Sequence, residues 1–332
     1  MVRKKKLTKK QKQQRLQIVL TTLLLGVAFL MGLFFGDNPY DVKYFSKRAQ
    51  EITDDVTSVF SELNHRIVGE EKSAEGTIRF FDVGQGSATL MQASDGTNIL
   101  IDTGRYDDPD KRIIKYLDQY IGTGGTIDLL IFTHNDADHI GNGDLVLDYY
   151  NVKEVWMNGV DHTTVIYEDV LDAIEKSGAL YYEPKAQEEK TVGPFKIEVF
   201  SPFKKAVTED QNEESIVTRL TLNGIRTMVT GDVSSKVETR LMEQHFDLVA
   251  DILLVGHHGS KESTSNEWLN AVNPQIAIVQ AGANNSYGHP HKETLARLKK
   301  QGVPLYNTIK NGTISIQVNE SDKMDIELEK SK

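Results

Sequence analysis

The stretch FTHNDADHIGN, residues 132–142, constrains this chain more than any other. It places His134, Asp136, Asp138 and His139 within six positions, at the end of the apolar run Asp128–Thr133. Such a run reads as a buried strand, and four ionisable groups crowded at its end would repel one another or stay unpaired without a compensating cation. Alternate residues of a tight turn can point into one cavity, so His-x-Asp-x-Asp-His suits a divalent ion. Ile140 onward then opens a helix whose N-terminus favours anionic groups. The competing reading makes Asp136 or Asp138 an ordinary helix N-cap.

The surrounding sequence supplies more strands of the same kind. TIRFFDV, ATLMQA, NILIDTG, IDLLIFTH, VKEVWMN, FKIEVFS, IVTRLTL, IRTMVTGD, DILLVGHH and QIAIVQAG read as strands; residues 109–121, 139–150, 165–177, 234–246 and 292–301 carry helical periodicity. Hairpins mixed with strand–helix units predict an α/β sandwich, sheets covered by helices, rather than a purely parallel sheet. Asp102, His134, Asp232 and His257 each follow an apolar strand directly, where such folds build their sites. The chain has no cysteine, which excludes disulfides, thiolate metal ligands and a cysteine nucleophile.

Upstream of Thr77 the character changes. Residues 1–17 hold eight Lys/Arg and no acid, leaving 30 basic against 48 acidic residues in the rest, a net charge of −18. Ile18–Gly36 is uncharged for nineteen residues, long enough as a helix to span a bilayer, and the basic flank predicts a cytoplasmic N-terminus with everything after it outside the cell membrane. Val42, Phe45, Ala49, Ile52, Val56, Val59, Leu63 and Ile67 follow with heptad spacing. That seam is either a stalk lying on the protein or the membrane surface, or a self-pairing coiled coil. The organisation expected is therefore a basic cytoplasmic tail (1–17), a single transmembrane anchor (18–36), a helical stalk and linker (37–76), a catalytic domain (77–318) and a polar C-terminal tail (319–332).

THNDADHIGN, TGD at 230–232 and GHHGS at 256–260 together resemble the metallo-β-lactamase-fold hydrolases, in particular the soluble domain of the ComEC competence proteins and its stand-alone relatives. FFDVGQGSATLM, LIDTG, NEESIV, HHGSKEST and YGHPHKETL extend the similarity across nearly all of 77–318. The resemblance implies a four-layer αββα sandwich and a centre for one or two divalent ions. It assigns His134 and Asp136 to the first ion, Asp138 and His139 to the second, Asp232 as the bridging carboxylate, and His257 or its neighbour His258 as the last ligand. Asp102 matches an acid that orients the site. His258 and His289 are candidates to contact substrate or leaving group, with a structural loop histidine as the alternative for His289.

Two departures bear on the metal. Asp136 stands where many members of the superfamily carry histidine, and NEESIV, with Asn212 as the candidate, stands where they carry another. The first site is thus richer in oxygen, which shifts preference from zinc towards manganese, or magnesium. Ser87 also replaces an acid usual in the ComEC-like pattern. Two divalent ions lower the pKa of water towards neutrality and neutralise charge on a phosphoryl or acyl oxygen, so the expected activity is hydrolysis without a side-chain nucleophile. The resemblance puts phosphodiesters first, ahead of acyl or lactam substrates; the acidic body, which offers no general field for gripping long nucleic acids, narrows the expectation to single-stranded nucleic acid or a cell-envelope phosphodiester. The alternative is a catalytically silent surface protein that keeps the metal for binding or assembly.

Overall fold

The computed structural model describes residues 75–203, 210–319 and 323–330. The tail, anchor and stalk expected over 1–74 lie outside the described residues. All those described belong to one unit, Glu71–Lys332. Among them no helix is long and apolar enough to cross a membrane.

Inner strands such as β3 (Asn98–Ile101) and β5 (Leu129–Ile131) are buried on both faces because both faces are covered. The first sheet has the spatial order β17 (Met324–Leu328), β16 (Ile314–Val318), β1 (Gly76–Phe80), β2 (Thr89–Ala93), β3 (Asn98–Ile101), β5 (Leu129–Ile131), β7 (Glu154–Trp156), β8 (Leu180–Tyr182). The second runs β15 (Leu305–Asn307), β14 (Ile276–Val279), β13 (Ile252–Leu254), β12 (Ile225–Val229), β11 (Val217–Leu222), β10 (Phe195–Ser201), β9 (Glu189–Val192). A short parallel pair, β4 (Thr126–Ile127) and β6 (Asn151–Val152), stands apart.

Period-two alternation distributes each strand between two apolar layers. Ile99 and Ile101 of β3 and Leu129 and Ile131 of β5 meet Ile197, Leu220, Val229 and Ile252 of the second sheet in one central core. The intervening Leu100 and Leu130 face outward, onto Leu117 of α1 (Arg112–Ile121), Val146 of α2 (Gly143–Tyr149) and Val170 of α3 (Val165–Ser177). On the opposite side Met228, Leu253 and Ala277 pack against Leu241 of α4 (Ser235–Glu243), Trp268 of α5 (Asn266–Val272) and Leu298 of α6 (Lys292–Lys300). Three apolar interfaces require four layers, and the α/β sandwich expected from the sequence is the fold found.

Local signals explain where the helices stop and start. Thr164 Oγ1 accepts from the Tyr167 amide at 3.3 Å, and Gly178 closes the same helix in the left-handed region at φ 71°. Ser265 caps α5 by accepting from the Trp268 amide at 3.1 Å.

One boundary needs correction. Residues 319–332, expected as a polar tail, contain β17, which pairs antiparallel with β16 from Met324↔Val318 to Leu328↔Ile314. MDIEL alternates, and its Met324, Ile326 and Leu328 pack on the central core while Asp325 and Glu327 face outward. Only one side of this edge strand is apolar, so its mean composition looks like a tail.

Candidate metal centre

Parallel strands β3 and β5 in one sheet, and β12 to β14 in the other, release their C-terminal loops at a common seam. Every residue of the cluster comes from one of those loops. Asp102 follows β3, His134 to His139 follow β5, Asp232 follows β12, and His257 and His258 form the turn after β13. Asp102 has φ 58°, His257 φ 50° and His258 φ 53°, a left-handed region that non-glycine residues seldom occupy. Such conformations persist where surrounding contacts over-determine them, often at functional sites.

Thr133 organises the first loop. Its amide donates to Asp102 Oδ1 at 2.8 Å and its hydroxyl to Asp102 Oδ2 at 2.9 Å, while its carbonyl accepts from the Ile216 amide at 2.7 Å. Asp102 Oδ2 then accepts from His139 Nδ1 at 2.7 Å. A carboxylate there needs a proton on Nδ1, which leaves His139 Nε2 to face the cluster. His258 is set in the same way: Nδ1 donates to the Gln280 carbonyl at 2.9 Å, so Nε2 points inward.

The inward atoms converge. His139 Nε2 and His258 Nε2 are 3.2 Å apart, and His258 Nε2 is 3.3 Å from Asp138 Oδ2. Asp232 sits at the centre, with Oδ1 3.4 Å from His139 Nε2 and Oδ2 3.6 Å from both His257 and His258 Nε2. Asp232 Oδ2 also lies 3.9 Å from His134 Nε2, and Asp136 Oδ2 is 3.6 Å from that same nitrogen. His134 is fully buried, yet its Nε2 has no hydrogen-bond partner. An orphaned buried nitrogen and two imidazoles aimed at each other among carboxylates make a donor set that fits a cation. Among the described residues two groups have metal-binding spacing, His134–His139–Asp232 and Asp138–His139–His258.

The electrostatics run the same way. Burial alone would push Asp232 up, but His139 and His258 outweigh it and hold the carboxyl well below its ordinary range. Burial disfavours charge on His139, yet Asp232 and Asp102 raise its pKa well above that of a free imidazole. Asp138 is likewise held low, despite burial, by His258 and His139.

Of the two histidines offered for the second ion, His258 enters a metal-spaced group and His257 does not; His257 lies beside Asp232, partly exposed. Asp136 is in neither group but flanks His134. His289 stands at the rim, its ring 5.3 Å from His257 and 6.2 Å from His258, with Nδ1 buried and unpartnered. Burial, with His258 and His257 next, pushes His289 down to about 4, so near neutral pH it is an uncharged hydrogen-bonding group. The NEESIV loop touches the centre through Ser215, whose Oγ accepts from the Asp232 amide at 3.2 Å; Asn212 Oδ1 is buried without a partner. The Ser87 amide donates to the Asp138 carbonyl at 3.1 Å, a backbone contact that does not use the side chain at that position.

Sequence reasoning missed His162. Its Nε2 lies 3.7 Å from Asp136 Oδ1, brought there by a loop that the HNDADH turn itself anchors. A lone histidine in VDHT belongs to no spacing pattern, so the sequence carries no signal for it.

The profile of the metallo-beta-lactamase superfamily matches residues 81–282, a span that holds every residue of this cluster except His289. The chain belongs to the metallo-beta-lactamase superfamily. Members of this superfamily are typically metal-dependent hydrolases. Within it, the chain is 31% identical over 256 residues to ComE operon protein 3 of Bacillus subtilis (strain 168) and 28% identical over 248 residues to Competence protein ComA of Neisseria gonorrhoeae. These matches cover 73% and 72% of this chain but 33% and 32% of the two proteins, so it spans about a third of their length. The metallo-beta-lactamase fold protein YhfI from Bacillus subtilis superposes with a TM-score of 0.50 at 13% identity, covering 73% of this chain and 99% of YhfI, a likeness of fold alone.

Proposed function

We propose that this superfamily member is a metal-dependent phosphodiesterase acting outside the membrane on single-stranded nucleic acid or a cell-envelope phosphodiester. The observation that carries the reading is the convergence of His134, His139 and His258 Nε2 with Asp138 and Asp232 at one seam. His134 and Asp136 would hold a first ion, Asp138, His139 and His258 a second, and Asp232 would serve both. When bound, zinc or manganese there supplies an activated water and neutralises charge developing on the phosphoryl group.

The chain's own residues do the rest. Asp102 and the Gln280 carbonyl fix the tautomers of His139 and His258, so both ligands present Nε2 without reorganisation. His257 and His289, at the rim, can hydrogen-bond a substrate oxygen or the leaving group. Similarity to proteins named for competence favours a phosphodiester over an acyl or lactam substrate. The acidic body argues against a grip on long duplexes.

Manganese added to chelator-treated protein should restore hydrolysis of bis(4-nitrophenyl) phosphate, and zinc should do so less well, given the oxygen-rich first site. Ion binding with no turnover of this or any short oligonucleotide would favour a silent binding domain instead.

The anchor over 18–36 places the domain outside the cell in this proposal, with the stalk available for self-association. Protease added to intact, wall-stripped cells should digest the domain. Full protection until lysis would reverse the orientation.

A further inference from the structure

We infer that His162 is a positioning residue for the first metal site: it faces Oδ1 of Asp136 and leaves Oδ2 as the single oxygen turned towards His134. The inference rests on the proposal that this site holds a divalent ion.

His162 has a defined tautomer. Its Nδ1 lies 3.3 Å from the Thr164 amide, which can only donate, so Nδ1 accepts and the ring proton sits on Nε2. That N–H is the neighbour of Asp136 Oδ1 at 3.7 Å, a donor facing the oxygen at a distance longer than a formed hydrogen bond. A nitrogen that carries its proton is a donor to the carboxylate, not a ligand to a metal. The other oxygen, Oδ2, faces His134 Nε2 at 3.6 Å, so the two imidazoles divide one carboxylate between them.

The loop that delivers His162 is tied to the metal-binding turn. Asn135, between His134 and Asp136, donates through Nδ2 to Asn158 Oδ1 at 3.1 Å and to the Val160 carbonyl at 2.6 Å. Gln211 Nε2 donates to the Asp161 carbonyl at 2.9 Å, and Gln211 Oε1 accepts from the Asn135 amide at 3.4 Å. Gly159, at φ 77°, supplies a backbone turn that a side chain would strain. His162 therefore moves with Asn135 rather than with solvent.

The arrangement answers a difficulty that Asp136 creates. A histidine in that position offers one nitrogen, whereas a carboxylate offers two oxygens and can swing between one-oxygen and two-oxygen coordination. A donor facing Oδ1 biases the carboxylate towards presenting Oδ2 to the site. It also draws charge from the carboxylate, which alone would weaken the site; but loss of outer partners that orient ligands usually costs about 10–100-fold in affinity, so orientation dominates.

The test uses purified full-length protein stripped of metal, titrated with manganese and followed by calorimetry and by electron paramagnetic resonance of the free ion. His162→Ala should weaken one ion by roughly 10–100-fold and leave the other unchanged. His162→Gln, which keeps a donor but is a poor ligand, should recover much of the loss. Metal-free melting temperatures of both variants should match the wild type. Unchanged affinities in His162→Ala would overturn the inference, as would equal weakening of both ions with a lowered metal-free melting temperature, which marks a merely structural loop. His162→Gln no better than His162→Ala would also overturn it, because that result makes the imidazole itself a ligand. Wild-type protein that binds no divalent ion would instead remove the metal-centre reading, and this inference with it.

Discussion

Asp232→Ala should abolish ion-dependent turnover, a loss on the order of 10³-fold or more, because several kcal/mol of charge stabilisation vanish with one side chain. Its two oxygens lie between 3.4 and 3.9 Å from the Nε2 atoms of His134, His139, His257 and His258. No other carboxylate among the described residues pairs with so many of the cluster's imidazoles. Alanine would leave those nitrogens facing one another across a buried gap without a negative charge between them. Asp232→Asn isolates the cause: it retains shape and one oxygen, so a comparable loss there assigns the effect to charge. Turnover of the chromogenic diester and metal content per chain provide the two readouts. Undiminished turnover in Asp232→Ala would refute the shared-carboxylate assignment.

The second large effect is expected from a residue that binds nothing. Gly86, in DVGQGSA, has φ 123°, and a Cβ placed on it would run into the backbone carbonyl of Asp138 and crowd the Arg105 amide at 3.2 Å. Neither neighbour can rotate away, since both are main chain. Gly86→Ala should cost roughly 2–5 kcal/mol, the sum of backbone strain and overpacking. The damage should not stop at stability, because the displaced carbonyl belongs to a proposed ligand of the second ion. Thermal melting of metal-free protein measures the first effect and ion affinity the second. Gly96→Ala is a fitting control: its Cβ would meet open space, although its φ of 92° still adds strain. Equal melting temperatures for the two alanine variants would show that the close approach to Asp138 is not limiting.

Much of this architecture was legible because burial on both faces makes strands nearly continuous apolar runs, and all ten strand readings fall on observed strands. The helix expected at 165–177 matches α3 at both ends, since Thr164 and Gly178 mark its limits by local chemistry. Where the reading fell short, the deciding information was not local. β17 is half polar because only one of its faces meets the core, and β9 and α5 are short elements whose order comes from packing. His257 and His258 are adjacent in sequence, and only the left-handed turn through both, with Gln280 beside it, determines that His258 looks inward. His162 depends on Asn135 and Gln211 meeting across a loop. By contrast the clustering of His134, Asp138, His139 and Asp232 was legible because each follows a strand whose end points to the same seam.

The first strand of the domain lies inside its sheet, not at an edge. β1 is bonded on one side to β2, its neighbour in sequence, and on the other to β16, from Gly76↔Val318 to Phe80↔Ile314, almost the whole domain away. Closing so long a loop is slow, and the sheet cannot be completed until its last strands have been synthesised. If the chain is threaded across a membrane in the proposed orientation, that order of events would keep it pliable in transit. A polypeptide whose opening strand must wait for β16 keeps that strand's second edge open until most of the domain has been made, so the sheet closes as one late event rather than strand by strand.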